Sequence, residues 1–140
     1  MVDDASGATG SVCGPASRLD PLQIQYGLKN RRTVACEPLD SLLPELRGQR
    51  ILMKIDVERA EDSVIAGARQ VLETLRPVFI LECFDMARMH ALKGLRYRAY
   101  DLHEGCNWLV VPEENARQAE TEWLPPAVRE SAVAPANSDR

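Results

Sequence analysis

An α/β fold is predicted by three neighbouring stretches in the middle of the chain. Residues 51–57 and 77–83 are short runs whose only charged side chains are Lys54, Asp56 and Glu82. Between them, residues 58–76 carry apolar side chains at helical spacing and begin with acidic residues. Near-continuous apolar strands joined by a helix are typical of parallel neighbours that are covered on both faces. The sequence therefore predicts a strand, a helix and a second strand with a right-handed crossover.

One helix is predicted between these strands, with Gly67 in its middle and Pro77 just after its end. Proline stops a helix because its ring removes a backbone donor and clashes with the preceding turn. A mid-helix glycine costs roughly 1 kcal/mol relative to alanine. We therefore expect Gly67 to face the sheet, at a point where two backbones approach closely.

Two acidic side chains are predicted at the carboxyl ends of adjacent parallel strands. Alternation along the first strand puts Leu52, Lys54 and Asp56 on one face, and Glu82 ends the second strand. Ligands of open α/β sheets bind at this edge, so both acids are candidate site residues. The alternative is that Asp56 pairs with Lys54 or caps the next helix while Glu82 reaches solvent.

Shorter elements are predicted on either side of this unit. Leu22–Leu28 alternates apolar and polar residues and forms a hairpin with Thr33–Cys36. Asp40 is placed to cap a short helix that Gly48 ends. Asp85–Leu95 has the pattern of an amphipathic helix in which Met86 and Met89 are core residues. His90 is expected to be a surface or packing residue, with a catalytic role as the alternative. Tyr97–Leu102 and Trp108–Val111 form a terminal hairpin.

Length and composition are those expected of one domain of an ordinary soluble globular protein. The chain has 140 residues, 45% hydrophobic and 27% charged, with a net charge of -4. That charge and the absence of a basic cluster beyond Lys29–Arg32 exclude a nucleic-acid surface. Neither a signal peptide nor an apolar run of about 18 residues is present, so we expect a cytoplasmic protein without a membrane span. The four cysteines lack metal-binding spacing, and no zinc site is expected.

The domain organisation follows from the same patterns. Residues 1–20 are expected to be a flexible terminus, because Gly7, Gly10 and Gly14 neither follow a strand nor open a helix. Residues 21–112 are predicted to form the domain. Residues 113–140 are polar and then rich in proline and alanine, which predicts a largely disordered tail in which Ala116, Ala119 and Trp123 line one short helix.

A longer motif resembles the FkbM family of S-adenosylmethionine-dependent methyltransferases. It consists of LDSLLPEL from Leu39, ILMKIDVERAEDSVIAGARQVL from Ile51 and RPVFILE from Arg76. The family has Leu-Asp-x-Leu-Leu, then Lys-Ile-Asp-Val-Glu-Gly-Ala-Glu and, one helix later, Arg-Pro followed by Glu. The resemblance covers roughly residues 33–112 and implies part of a class I, Rossmann-like methyltransferase sheet: strands 4 to 7, flanking helices and a C-terminal antiparallel hairpin.

The resemblance also implies a reaction and its residues. S-adenosylmethionine would be the cofactor, and the acceptor would be a hydroxyl of a sugar or natural product, a small molecule or a glycan. Asp56 or Glu58 would act as base or orient that hydroxyl, and Glu82 would hydrogen-bond the acceptor. The three acids could instead hold a divalent cation, although the sequence offers no further ligand.

Two departures from the family pattern bear on this reading. Arg59 stands where the family has glycine, so a long cation enters a place where a ligand or backbone comes close. The family's Asp-x-Gly-Ala-Asn-x-Gly loop and ribose-binding acid have no counterpart in the sequence. The first strand would then have a bare edge, covered by the N-terminal hairpin, by a homo-oligomer or partner chain, or by the rest of a longer gene product.

Two other functions are compatible with these patterns. The chain could be a catalytically silent remnant or a binding module that keeps the acceptor half of the fold. A small nucleotide-binding protein of flavodoxin-like topology is a third reading, disfavoured because no glycine-rich turn joins a strand to a helix. Binding of S-adenosylhomocysteine separates a methyltransferase from both.

Overall fold

The protein is described by a computed structural model over residues 2–3, 31–32, 35–57 and 59–129. Two strands of two residues each, β1 (Val2–Asp3) and β2 (Arg31–Arg32), pair antiparallel. The larger sheet is made of β3 (Leu52–Ile55), β4 (Val78–Glu82), β5 (Tyr97–Asp101) and β6 (Asn107–Pro112). Its spatial order is β3-β4-β6-β5.

The predicted α/β unit is confirmed at the centre of this sheet. β3 and β4 are parallel, in a register that pairs Leu52 with Val78 and Ile55 with Leu81. β6 lies antiparallel to both β4 and β5, so the predicted terminal hairpin is also confirmed. Lys54 pairs with Ile80 in this register. Paired residues lie on the same face of a sheet, so Lys54 and Ile80 share one face.

The connection from β3 to β4 is two helices rather than the predicted single one. α1 (Leu43–Leu46) precedes β3 and follows a 3-10 turn at Leu39–Leu42. After β3 come α2 (Glu61–Ala66) and α3 (Arg69–Leu75), separated by a break at Gly67 and Ala68. The αL conformation of Arg76 and the following Pro77 then end α3.

Asp40 explains why the helix breaks at Gly67. Its carboxylate accepts hydrogen bonds from the amides of Gln70 (3.0 Å) and Val71 (2.9 Å), at the start of α3. Its own amide donates to the Gly67 carbonyl (3.0 Å). Asp40 was predicted to cap the short helix after it, and that prediction is wrong, because the acid caps a helix 30 residues further along the chain.

Gly67 also lies against a different neighbour from the predicted one. A Cβ atom there would come within 3.3 Å of the Pro38 Cβ and 3.4 Å of the Pro38 Cα. The close approach predicted for this glycine is therefore real, but the neighbour is the Pro38 segment and not the sheet. Glycine makes room for the chain that carries Asp40 to the start of α3.

The predicted helix over residues 85–95 is replaced by two 3-10 turns, Met86–Arg88 and His90–Leu92. Local hydrogen bonds compete with a continuous helix here. The Asp85 carboxylate accepts from the amide of Ala87 (3.1 Å), and Asp62 of α2 accepts from the amide of Ala91 (2.7 Å). Met89 is buried and Met86 packs against the core, as predicted.

Each face of the sheet has its own hydrophobic cluster. One face packs against α2, α3 and the two 3-10 turns through residues such as Ile65, Leu72 and Phe79. The other packs against the C-terminal segment through Tyr100 and Val111. That segment contains a 3-10 turn (Glu113–Asn115), α4 (Ala116–Gln118), a π-helical turn (Ala119–Trp123) and α5 (Pro126–Arg129).

Residues 113–129 therefore differ from the predicted disordered tail. Ala119, Leu124 and Val128 are buried against the second face, one from the π-helical turn, one from the extended residue after it and one from α5. Trp123, expected to line the helix, is 43% exposed instead. The remainder of the predicted tail, residues 130–140, lies outside the described residues.

β3 forms one border of the sheet, and its outer edge has no strand beside it within the described residues. Leu52 is 73% exposed on the face where the C-terminal segment covers β5 and β6. The predicted strand at Leu22–Leu28 and most of the predicted terminus 1–20 lie outside the described residues. Ala35 and Cys36, at the end of the second predicted strand, have no regular structure. In the described part, no helix is long and apolar enough to cross a bilayer.

Candidate active site

A cavity of about 390 Å³ opens at the carboxyl ends of β3 and β4. Its walls come from the loop after β3, the start of α2 and the chain that follows β4. Carboxylates dominate the lining, with five acids against two arginines. The acids are Asp56, Glu61, Asp62, Glu82 and Asp85; the other lining residues are Arg59, Cys83, Phe84, Arg88 and Met89.

Asp56 and Glu82, the two predicted site residues that the structure describes, lie at this edge together. Lys54 Nζ donates to Asp56 Oδ2 (2.7 Å) and lies 3.9 Å from Glu82 Oε2. The hydrogen bond to Asp56 and its negative charge raise the pKa of Lys54, so the ammonium stays charged and is no base. Within the described part, Asp56 Oδ1 has no hydrogen-bond partner. Glu58, the third predicted residue, lies outside the described residues.

Glu61 at the first position of α2 is the buried acid of the site, with 8% of its surface exposed. Its Oε1 accepts a hydrogen bond from the amide of Arg59 (2.8 Å). No described donor contacts its Oε2. A buried carboxylate with an open oxygen is expensive to keep unless a ligand or water completes it.

Arg59 lies in the left-handed region of the backbone, at φ 75°. This conformation, which glycine adopts without cost, turns the chain from β3 into α2 and directs the Arg59 amide to Glu61. A glycine at this position, as in the family motif, would therefore suit the backbone conformation as well as leave space for a ligand. Arg59 is one of the residues that line the cavity, which is the position from which an arginine in place of glycine was expected to narrow the site.

The opposite wall follows β4 directly. Phe84 is 86% exposed, although large aromatic side chains are usually buried. Asp85 is occupied locally, by the amide of Ala87 and by Arg88, whose Nε lies 3.5 Å from Asp85 Oδ2. Asp62 is likewise occupied by the amide of Ala91, which fixes this wall against α2.

The cysteines near the site are not activated as nucleophiles. Burial, and then the charges of Glu61, Asp85 and Asp62, raise the pKa of Cys83. Desolvation and the hydrogen bond that Cys106 donates to Glu82 Oε1 (3.5 Å) raise the pKa of Cys106. Both thiols stay protonated at neutral pH. In residues 35–57 and 59–129, no group of three or more His, Cys, Asp or Glu side chains has the geometry to hold a metal ion.

The sequence patterns identified the strand ends but missed Glu61 and Phe84. In the sequence Glu61 is one of several acids that favour a helix start, and only its burial separates it from Asp62. Phe84 follows an apolar strand and looks like a continuation of it. Its exposure depends on the chain turning away at Asp85, which no local pattern indicates.

Comparison with known proteins identifies a family that the chain resembles. The family model described as the methyltransferase FkbM domain matches residues 3–102, well over half of the chain. The match begins before residue 21, where the sequence patterns placed the start of the domain, and ends before residue 112. No curated protein and no solved structure matches the chain.

Proposed function

The chain belongs to the FkbM methyltransferase domain family, and from that premise we propose that it transfers a methyl group to a hydroxyl of a sugar or natural product. The observation that carries the proposal is that Asp56 and Glu82 line one acidic cavity and that the Lys54 ammonium lies 2.7 Å from the first and 3.9 Å from the second. Strand ends on a rigid sheet hold such side chains in fixed geometry, which positions reactants for transfer.

The order of the four strands supports a partial class I sheet. β3, β4, β5 and β6 correspond to strands 4, 5, 6 and 7 of that sheet, whose order is 3-2-1-4-5-7-6. The order β3-β4-β6-β5, with β6 antiparallel to its neighbours, agrees with this assignment. The edge of β3 would then be where strand 1 belongs.

The lining of the cavity fits part of S-adenosylmethionine. The acidic lining suits a positively charged group, and the cofactor carries a sulfonium and an ammonium. When bound, the cofactor supplies an electrophilic methyl group. No glycine-rich loop for its adenosine part occurs in the sequence, so the residues described here account for the cationic end of the molecule only.

Asp56 is placed to act on the acceptor hydroxyl. Lys54 holds its Oδ2, which leaves Oδ1 to accept the hydrogen bond of an incoming hydroxyl and to take its proton as the new bond forms. The lysine keeps the Asp56 carboxylate oriented through this hydrogen bond. Glu82, 3.9 Å from the same ammonium, would bind a second hydroxyl of the acceptor.

The direct test replaces Asp56 by Asn. General-base catalysis contributes about 100-fold or more, so we expect Asp56→Asn to lose at least that factor in methyl transfer from labelled S-adenosylmethionine to a panel of sugars. Glu73→Gln is the matched control, because Glu73 is an exposed acid paired with Arg69 on α3, away from the cavity. Circular dichroism verifies the fold of both variants. Unchanged turnover in the Asp56 variant would remove this residue from the mechanism.

A binding module completed by a partner is the second candidate function, and it is favoured by the edge of β3, beside which the described residues place no strand. Leu52 is 73% exposed beside that edge, and an unpaired edge strand is a template for association. A second copy of the chain, or another chain, would supply the neighbouring strand. The solution mass together with titration of S-adenosylhomocysteine separates the two: a monomer that binds the cofactor product argues against this candidate.

A further inference from the structure

The interior of the cavity holds a negative charge that the proposed reaction at Asp56 does not use. Glu61 is 8% exposed, yet of its two oxygens only Oε1 has a described hydrogen-bond donor. The other four acids of the lining also have described partners: Asp56 pairs with Lys54, Asp62 with the amide of Ala91, Asp85 with Arg88, and Glu82 with Cys106 and Lys54. Among these five acids Glu61 is the one that is buried. Glu61 thus offers an unused acceptor oxygen in a partly dehydrated place.

Phe84 lies in the same lining and is 86% exposed. An aromatic face in contact with solvent attracts cations, because the ring carries negative charge density on its faces. A buried carboxylate and an exposed aromatic ring are complementary to the same kind of group. The hydroxyls of a neutral sugar could donate hydrogen bonds to the carboxylate, but its negative charge would not attract them as it attracts a cation.

We propose that Glu61 and Phe84 form a binding site for a protonated amine, and that the acceptor is therefore a hydroxylated amine of the amino-sugar class. The inference rests on the proposed methyl transfer, whose acceptor it narrows. The ammonium donates a charge-assisted hydrogen bond to Glu61 Oε2, and Phe84 covers it from the rim. A hydroxyl of the same molecule then lies towards Asp56, in the same cavity.

A purely structural role for Glu61 makes a different prediction. Its Oε1 orders the turn at Arg59, and the amide oxygen of glutamine can accept the same hydrogen bond. Glu61→Gln therefore keeps the fold and removes only the charge. A structural role would leave ligand selectivity unchanged in this variant, whereas an ammonium site would lose it.

The experiment is a titration of the full chain with glucosamine and, separately, with glucose. Binding is monitored by NMR at a pH where the amine of glucosamine is protonated. We expect glucosamine to bind at least tenfold more tightly than glucose, as one charge-assisted hydrogen bond predicts. Glu61→Gln should abolish this preference, and Phe84→Leu should weaken glucosamine binding about threefold. Glu73→Gln, which makes the same chemical change on the exposed face of α3, should change neither.

Equal binding of both sugars, or a preference that survives in Glu61→Gln, would overturn the proposal. A parallel titration with S-adenosylhomocysteine distinguishes the source of the amine. If Glu61→Gln weakens that ligand and not glucosamine, the cofactor supplies the ammonium and the assignment of the acceptor falls. Binding is measured without turnover: selective glucosamine binding without methyl transfer refutes the proposed reaction alone, and methyl transfer to neutral sugars alone refutes the amine site.

Discussion

Replacing Arg59 by glycine should stabilise the protein, although the arginine lines the candidate active site. Arg59 has φ 75°, a conformation that costs an L-residue roughly 1–2 kcal/mol and costs glycine almost nothing. Glycine also gives the unfolded chain more freedom, which offsets about 0.4–1 kcal/mol of that gain. The net stabilisation expected from the backbone is therefore about 1 kcal/mol, or a few degrees in melting temperature for a chain of this size.

The arginine side chain has contacts of its own, so the variant must be compared with Arg59→Ala. Alanine removes the same side-chain contacts but keeps the unfavourable φ. The difference between the free energies of unfolding of Arg59→Gly and Arg59→Ala therefore measures the backbone contribution alone. Urea denaturation followed by circular dichroism measures both. Equal stability of the two variants would refute the assignment of strain to this residue.

Arg76→Gly is the contrasting control, because Arg76 is also left-handed, at φ 51°. Its guanidinium donates to Glu114 at 2.7 and 2.8 Å and to the carbonyls of Leu95 and Arg96, and it stacks 4.5 Å from the centre of the Tyr97 ring. Relief of the backbone cannot compensate for the loss of these contacts. We expect Arg76→Gly to destabilise the protein while Arg59→Gly stabilises it.

Three further outcomes follow from the same structure. Arg76→Ala should lower the free energy of unfolding by about 2 kcal/mol in urea denaturation, since it leaves two carbonyls without their charged donor. The hydrogen bond from Arg76 lowers the pKa of Glu114 from 4.5 to about 2, so the stability this pair contributes is complete above pH 4.5 and is lost as pH falls towards 2; that acid-dependent loss should be absent in Arg76→Ala. Asp40→Ala should cost about 1 kcal/mol, because two amides of α3 lose their cap, and faster hydrogen exchange confined to Gln70 and Val71 would identify the cause. Destabilisation without faster exchange at those two amides would contradict the capping role.

The parts of the fold that the sequence predicted are those governed by short-range periodicity. Two apolar strands joined by a helix predicted the parallel pair β3 and β4, strand alternation predicted the face of Lys54, and both agree with the observed register. The failures concern contacts between distant segments. Asp40 has the sequence position of a local cap, but its carboxylate acts across 30 residues on α3, and no pattern within its own segment contains that partner. The same contact breaks the helix that was predicted to run unbroken through Gly67.

The candidate site shows the same division. Asp56 and Glu82 could be predicted to meet, because strand ends of a parallel pair must lie at one edge of the sheet. Glu61 could not be separated from its acidic neighbours, since periodicity places residues on faces and gives no account of which oxygens lack donors. Phe84 depends on the path of the chain after β4. Interactions within the site therefore require the structure, while its location does not.

The strands of the sheet differ in how fully they are covered, and the candidate site lies beside the less covered strand, β3. The C-terminal segment covers β5 and β6 through Tyr100 and Val111, and the pair of Arg76 with Glu114 anchors its beginning to the end of α3. Within the described residues Leu52 of β3 is 73% exposed, the loop that follows β3 contains the strained Arg59, and Glu61 at the start of α2 has one oxygen without a described donor. Regions with fewer buried contacts open at lower free energy than the core. A ligand that completes Glu61 and contacts the loop after β3 should therefore stabilise this side of the sheet, because it supplies the partners that the covered side already has.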